Sequence, residues 1–211
     1  RADLGITEVT DEVLSWVDQT PSAHNATSIV TEAPDRLDTG ADLLNFNPVI
    51  EFDGTNQDLI ITGGILGTAT YTNLWSYVVV NPNNIAGNDF IFIEGMSTGN
   101  FHNRTVNTTN LRYRFGNPTS QFVDINALGH ENTYKLYTFG STSTGASAPT
   151  ANTQAIHSSG EPIFTANNAI AGANGTNDNF DVGSNGANNF WNGQIAEIMV
   201  FNETPTALKQ Q

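Results

Sequence analysis

Three of the seven basic residues of this chain stand close together: Arg104, Arg112 and Arg114. In "LRYRF", residues 111–115, strand alternation puts Leu111, Tyr113 and Phe115 on a core-filling face and Arg112 and Arg114 together on the other. His102 and Phe101 lie just upstream, beside Arg104. A guanidinium fork holds a carboxylate or sulfate through two parallel hydrogen bonds. Arg104, Arg112, Arg114 and His102, with Phe101 as an aromatic companion, therefore read as a binding site for an anionic polysaccharide. The same residues also fit a solvated strand face on which the arginines pair with the chain's abundant acids.

The acids offer less catalytic chemistry than their number suggests. Glycoside hydrolysis needs two carboxylates about 5–10 Å apart. On a strand these would appear as acids two or four residues apart on one face. Glu197, in "GQIAEIMVFN", shares its face under strict alternation with Ile195, Met199 and Phe201. A carboxylate in such a row must be satisfied by partners, so the expectation is a structural anchor that accepts backbone N–H groups of a neighbouring loop. Glu51 and Asp53 in "IEFDG" approach a pair, but Asp53 opens an Asp-Gly turn, where a local backbone role is expected.

Calcium takes oxygen ligands from loops rich in Asp and Asn. Two loops have that composition: "DGTNQD", with Asp53, Asn56 and Asp58, and "GTNDNFDVGSNG", with Asn177, Asp178 and Asp181. Neither has the spacing of an EF-hand loop, and both also read as ordinary Asx turns. The four histidines form no zinc motif. Exposed aromatics for stacking on sugar are expected on loops, at Phe101, Phe180 or Phe190, and Trp75 and Trp191 are expected in the core.

These residues must be positioned by strands. Runs of β-branched and aromatic residues recur at 13–19, 47–54, 58–64, 73–82, 89–95, 111–117, 133–140, 162–166 and 193–202. Turn sequences such as "NPNNIAGND" and "GSNGANN" separate them. Helical periodicity is confined to a turn near "TDEVLSW" and the tail "TPTALKQQ". The small, polar stretch 140–155 reads as a long loop or loose edge. Nine or more strands with no internal boundary point to an all-β chain of one domain, residues 1–211, built as a two-sheet antiparallel β-sandwich or jelly roll.

Two motifs give this pattern a relative. "NPVIEFDGTNQDLIITG" resembles the early strand pair, and "FWNGQIAEIMVFNETPT" the C-terminal strand, of the concanavalin A-like lectin/glucanase superfamily in its laminin-G-like bacterial branch. The opening "VLSWVDQTPSAHNAT" resembles the start of such domains, where an aromatic and an Asp precede a polar turn. The combination is most similar to modules of large secreted surface proteins of Bacteroidota. That resemblance implies a concanavalin A/laminin-G-like sandwich, excised from a larger exported protein. The superfamily's lyase branch uses an Arg-rich strand, a Gln-x-His strand and a late Tyr strand. Here Gln154 and His157 are three apart and fall on opposite strand faces.

Bulk composition narrows the partners. A net charge of −14 argues against nucleic acid and against an anionic membrane surface. The absence of cysteine excludes a disulfide framework. No apolar run approaches a membrane span. Together these observations point to a non-catalytic, extracellular or cell-surface module that binds a polysaccharide or cell-surface glycan, with neighbouring domains of the same chain as further partners. The alternatives are a spacer domain in a long adhesin and a carbohydrate-active enzyme.

Overall fold

A computed structural model describes residues 2, 4–40, 43–66, 70–71, 73–84, 87–95, 101–106, 109–115, 122–126, 129–142, 154–158, 161–166, 173–174, 178–186 and 188–203. Among these every regular element is a strand. The tail, the interior of 140–155 and Asn177 lie outside the described residues.

Most strands follow one hydrogen-bonded path that folds over on itself; β1 (Ile6–Val9) pairs with the second strand off that path, and β7 (Thr70–Tyr71) pairs separately with β16 (Ala173–Asn174). The first layer runs β12 (Phe122–Asn126), β11 (Asn110–Phe115), β10 (Phe101–Val106), β9 (Phe90–Glu94), β17 (Phe180–Val182), β6 (Leu59–Ile61) and β3 (Ala26–Thr27). β2 (Glu12–Trp16) and β4 (Asp35–Leu37) carry the path around one side. The second layer runs β5 (Val49–Asp53), β18 (Asn192–Phe201), β8 (Asn73–Pro82), β13 (Lys135–Thr142), β14 (Gln154–Ser158) and β15 (Glu161–Ala166). All named pairings are antiparallel. The expected two-sheet sandwich is the observed fold.

The layers meet through residues that alternation turns inward. Tyr113 stacks on Phe139 at 5.6 Å, and the Asn103 amide donates to the Ser76 hydroxyl at 3.2 Å. Trp191, Tyr113, Tyr137, Phe52, Phe92, Phe101 and Phe139 are fully buried in this core. Each such side chain stabilises the fold by about 1.5–3 kcal/mol relative to leaving it exposed. Trp191 is thus in the core, as expected. Trp75 is buried differently. It lies opposite the core-facing Leu74 and Val78, flat across Gly140, where any Cβ would stand 2.1 Å from its ring.

The opening turn is locally programmed. Asp18 accepts the Thr20 and His24 N–H groups at 2.8 and 3.0 Å, and the Asn25 side-chain oxygen accepts the Asp18 N–H at 3.0 Å. Side-chain to backbone bonds of this kind fix a turn without help from the core.

Candidate functional site

The register of β10 and β11 builds the basic cluster. His102 lies opposite Arg114 and Arg104 opposite Arg112. Directly opposed residues share a face, so the four side chains form one block on the outer face of the first layer. Leu111 and Tyr113 point inward and are buried. Sequence alternation anticipated Arg112 and Arg114. Arg104 and His102 join them because 101–106 is itself a strand, which its sequence "FHNRTV" did not advertise.

Phe101 corrects the sequence expectation. It has the opposite parity from His102, is fully buried, and packs on Phe92 at 4.9 Å. Phe180 is likewise in the core, stacked on Phe92 at 5.1 Å, and Phe190 is half-buried. The aromatic beside the cations is Phe90. Pairing between β10 and β9 slips by one residue between Asn103 and Arg104, which sets Phe90 rather than Ile91 against Arg104. The Arg104 guanidinium then lies 5.1 Å from the Phe90 centroid, and the His102 ring meets Phe90 edge-on at 5.4 Å.

One arginine of the block is neutralised. Arg112 donates bidentately to Asp124, opposite it on β12, at 2.6 and 2.8 Å. Nε of Arg104, Nε and Nη2 of Arg114 and both ring nitrogens of His102 are buried without a hydrogen-bond partner among the described residues. Burial, then repulsion from Arg112, presses both Arg104 and Arg114 below the ordinary guanidinium range. Burial, then the charges of Arg104, Arg114 and Arg112, push His102 well below the usual imidazole value. His102 is therefore neutral near pH 7 and offers one N–H and one lone pair. An orphaned buried donor costs about 1–3 kcal/mol. An anion that supplied acceptors to these donors would recover part of that.

The same sheet carries an opposite cluster. One cross-strand row runs Arg114, His102, Ile93, Asp181. Asp181 is thus two strands from His102, about 9–10 Å across the sheet. It is 2% exposed, and its Oδ1 has no partner among the described residues. Burial, then the charges of Asp58 and Asp178, raise its carboxyl to about 6. Asp58 is buried and accepts the Ser184 hydroxyl at 2.9 Å, and burial raises its carboxyl too.

The two loops read as calcium-like are only partly brought together. Asp58, Asp178 and Asp181 are near enough to raise one another's or a neighbour's affinity for protons. Asp53 instead accepts the Thr55 N–H at 2.7 Å, and the Asn56 amide donates to the Thr31 carbonyl at 2.9 Å. Asp53 thus serves its own turn, and Asn56 ties that turn to the segment at Thr31. Among the described residues no group of three or more His, Asp or Glu is placed to hold a metal ion.

The anchoring role expected of Glu197 belongs to Glu94. Glu94 is 1% exposed and accepts the N–H groups of Ile65 and Leu66 at 2.8 and 2.9 Å. Burial raises its carboxyl to about 7 despite those bonds, with the Asp178 charge adding to the rise. The turn reaches it only because residue 64 is Gly: φ is +68°, and a Cβ there would stand 2.6 Å from the Glu94 carboxylate. Glu197 escapes the core through a β-bulge. Ile195 pairs with Val80 and Glu197 with Val79, so Ala196 is skipped. The bulged Ala196 carbonyl accepts the Ala2 N–H at 2.9 Å. Past the bulge Ile198 and Val200 face the core and Glu197 faces outward. There it lines a cleft of about 470 Å³ with Leu44, Asn47, Tyr134, Lys135 and Leu136.

The lyase constellation is not assembled. β14, which carries Gln154 and His157, pairs with β13 in the second layer, whereas the arginines lie on the first. Glu51 is engaged by the Gln194 amide at 3.4 Å.

No family model matches this sequence. No curated relative matches it. Solved structures do resemble the fold. Domain 4 of AbnA, a GH43 extracellular arabinanase from Geobacillus stearothermophilus, in complex with arabinotriose, superposes with a TM-score of 0.56 at 14% identity, over 84% of this chain and 79% of that one. The SAP-like pentraxin of Limulus polyphemus gives 0.53 at 15% identity, over 75% and 77%. The botulinum neurotoxin serotype G binding domain gives 0.65 at 12% identity over 92% of this chain, which spans 46% of the toxin domain's length. At these identities the likeness shows a shared β-sandwich fold.

Proposed function

We propose that this is a non-catalytic glycan-binding module of an exported protein, of laminin-G-like type, and that it holds an anionic glycan on the outer face of β9–β12. The observation that carries this reading is the block of Arg104, Arg114 and neutral His102, whose buried nitrogens lack partners among the described residues while Arg112 beside them is already paired. Arg104 and Arg114 supply forked donors to a uronate carboxylate or a sulfate. His102, 3% exposed, is a neutral neighbour of the two guanidinium groups rather than a surface contact. Phe90 backs the Arg104 guanidinium and holds it in place. The arabinotriose complex of one structural relative supports sugar binding on this kind of sandwich.

The expected site residues are thus retained as Arg104, Arg112, Arg114 and His102, with Phe90 in the part foreseen for Phe101. A glycan array spanning neutral, uronate-rich and sulfated chains tests the reading. Binding restricted to acidic glycans, and lost in an Arg104→Ala, Arg114→Ala variant, is the expected result. Silence across the array would return the domain to the role of spacer.

A further inference from the structure

The turn at 44–47 breaks two rules at once. Leu44 and Asn47 exchange both backbone hydrogen bonds, at 3.0 and 2.9 Å, so only two residues close the hairpin. Both are left-handed: Asn45 has φ +49° and Phe46 φ +68°. Such a two-residue loop favours Asn at the first position and Gly at the second. Asn45 obeys, but a bulky residue at Phe46 is a backbone outlier. The Phe46 ring is also 93% exposed, so no packing within the chain compensates. Strain held without a structural return is characteristic of ligand-contacting positions.

The other three residues of the turn line the Glu197 cleft, and Phe46 projects from the turn beside it. Leu44, Asn45, Asn47 and Pro48 line it from the turn, and Val79, Tyr134, Lys135, Leu136 and Glu197 from the second layer. Its volume of about 470 Å³ lies within the range of small-ligand sites. The lining is amphipathic. Val79, Leu136 and Pro48 present hydrocarbon, while Asn45, Asn47 and Glu197 supply donors and acceptors. Glu197 shares its face with Val79 and Leu136, whereas Lys135, paired with the core residue Val80, turns its side chain to the other face.

We infer that this cleft is a second carbohydrate site, on the opposite layer from the arginines, and that it takes the end of a neutral oligosaccharide with Phe46 stacking on the sugar at its mouth. A pyranose or furanose ring has an apolar C–H face for the aromatic and hydroxyls for the amide and carboxylate groups. A carboxylate, with no cation on its face among the described lining residues, disfavours an anionic sugar here, in contrast to the basic block. The inference does not depend on the basic block binding anything. A module with both sites joins two glycan chains, and its avidity for a mixed surface exceeds that of either site.

The test is calorimetric titration of the whole chain with arabinotriose, xylotriose, cellotriose and mannotriose. At least one is expected to bind with a Kd of about 1 mM or better. Phe46→Gly relieves the strained backbone, so it is expected to raise the melting temperature while weakening binding at least about tenfold. Glu197→Gln is expected to weaken binding about threefold to tenfold. Arg104→Ala, Arg114→Ala leaves neutral-sugar binding unchanged, which separates this site from the basic block. Absence of binding by all four sugars at about 10 mM would overturn the inference, as would retention of wild-type affinity by the folded Phe46→Gly variant.

Discussion

The two ends of the row Arg114–His102–Ile93–Asp181 each sit in a like-charged cluster, the basic end half-buried and the acidic end buried, and are too far apart to neutralise each other. At the basic end burial and repulsion drive protons off; at the acidic end burial and repulsion hold protons on. The difference lies in what each end can do about it. An acid relieves itself by taking a proton from water. An arginine cannot shed its charge in this way, so the basic end keeps its charge. The acidic end is therefore read as a stability element, and the basic end as a binding site.

The largest effect is expected where a buried charge is well satisfied. Glu94→Ala removes the acceptor for two N–H groups of the 63–66 turn and opens a cavity. It should destabilise the fold by about 3 kcal/mol or more, read by urea denaturation. Loss of less than about 1 kcal/mol would mean that the turn finds other acceptors and that Glu94 is no anchor.

Asp181→Asn should act in the opposite sense. At pH 7.5 the wild-type carboxylate is ionised, buried and repelled by Asp58 and Asp178. The neutral amide should raise stability by about 1–2 kcal/mol at that pH and by less at pH 4.5. A loss of stability at pH 7.5 would show that the charge at 181 has a partner.

The two ends also predict opposing pH slopes. Asp181 and Glu94, raised to about 6 and about 7, hold protons in the folded state that the unfolded chain has lost. Their contribution is fully present below about pH 4 and is lost as pH rises toward 7. His102 is depressed, so the unfolded chain takes up a proton below about pH 6.5 that the folded one refuses. Its contribution is lost as pH falls. His102→Gln should therefore steepen the decline of stability between pH 4.5 and 6, and Asp181→Asn should flatten it by about 1 kcal/mol per pH unit. Denaturant melts at three pH values check both slopes.

The smallest effect is expected at the other carboxylate in an apolar strand. Glu197 faces outward past its bulge, so Glu197→Gln should change stability by less than about 0.5 kcal/mol.

Glu94 and Glu197 also mark how far the sequence could be read. Both are single acids in apolar runs, "FIFIE" and "IAEIMVF", and period-two alternation treats them alike. A bulge of one residue sends Glu197 outward, and a glycine turn thirty positions upstream closes over Glu94. Neither the slip nor the turn has a signature in local hydrophobicity. The long strands β8, β11 and β18 were legible because their side chains alternate or are continuously apolar. β10 was not, because its inward positions include Asn103 and Thr105, which are polar yet fully buried. Missing that strand misplaced Phe101, and only cross-strand register could bring His102 and Arg104 to Arg112 and Arg114 and set Phe90 beside them.

The proposed binding site rests on the half-buried Arg104 and Arg114 as contacts for an anionic sugar. Titration of the chain with a trigalacturonate and with a sulfated trisaccharide, at low and at physiological salt, tests it most directly. The account predicts binding that weakens with salt and falls at least about tenfold in Arg104→Ala, Arg114→Ala. Arg36→Ala, whose guanidinium is already paired with Glu8 and Asp38, should bind as the wild type does. Equal binding by the double variant, or none by the wild type, would contradict it.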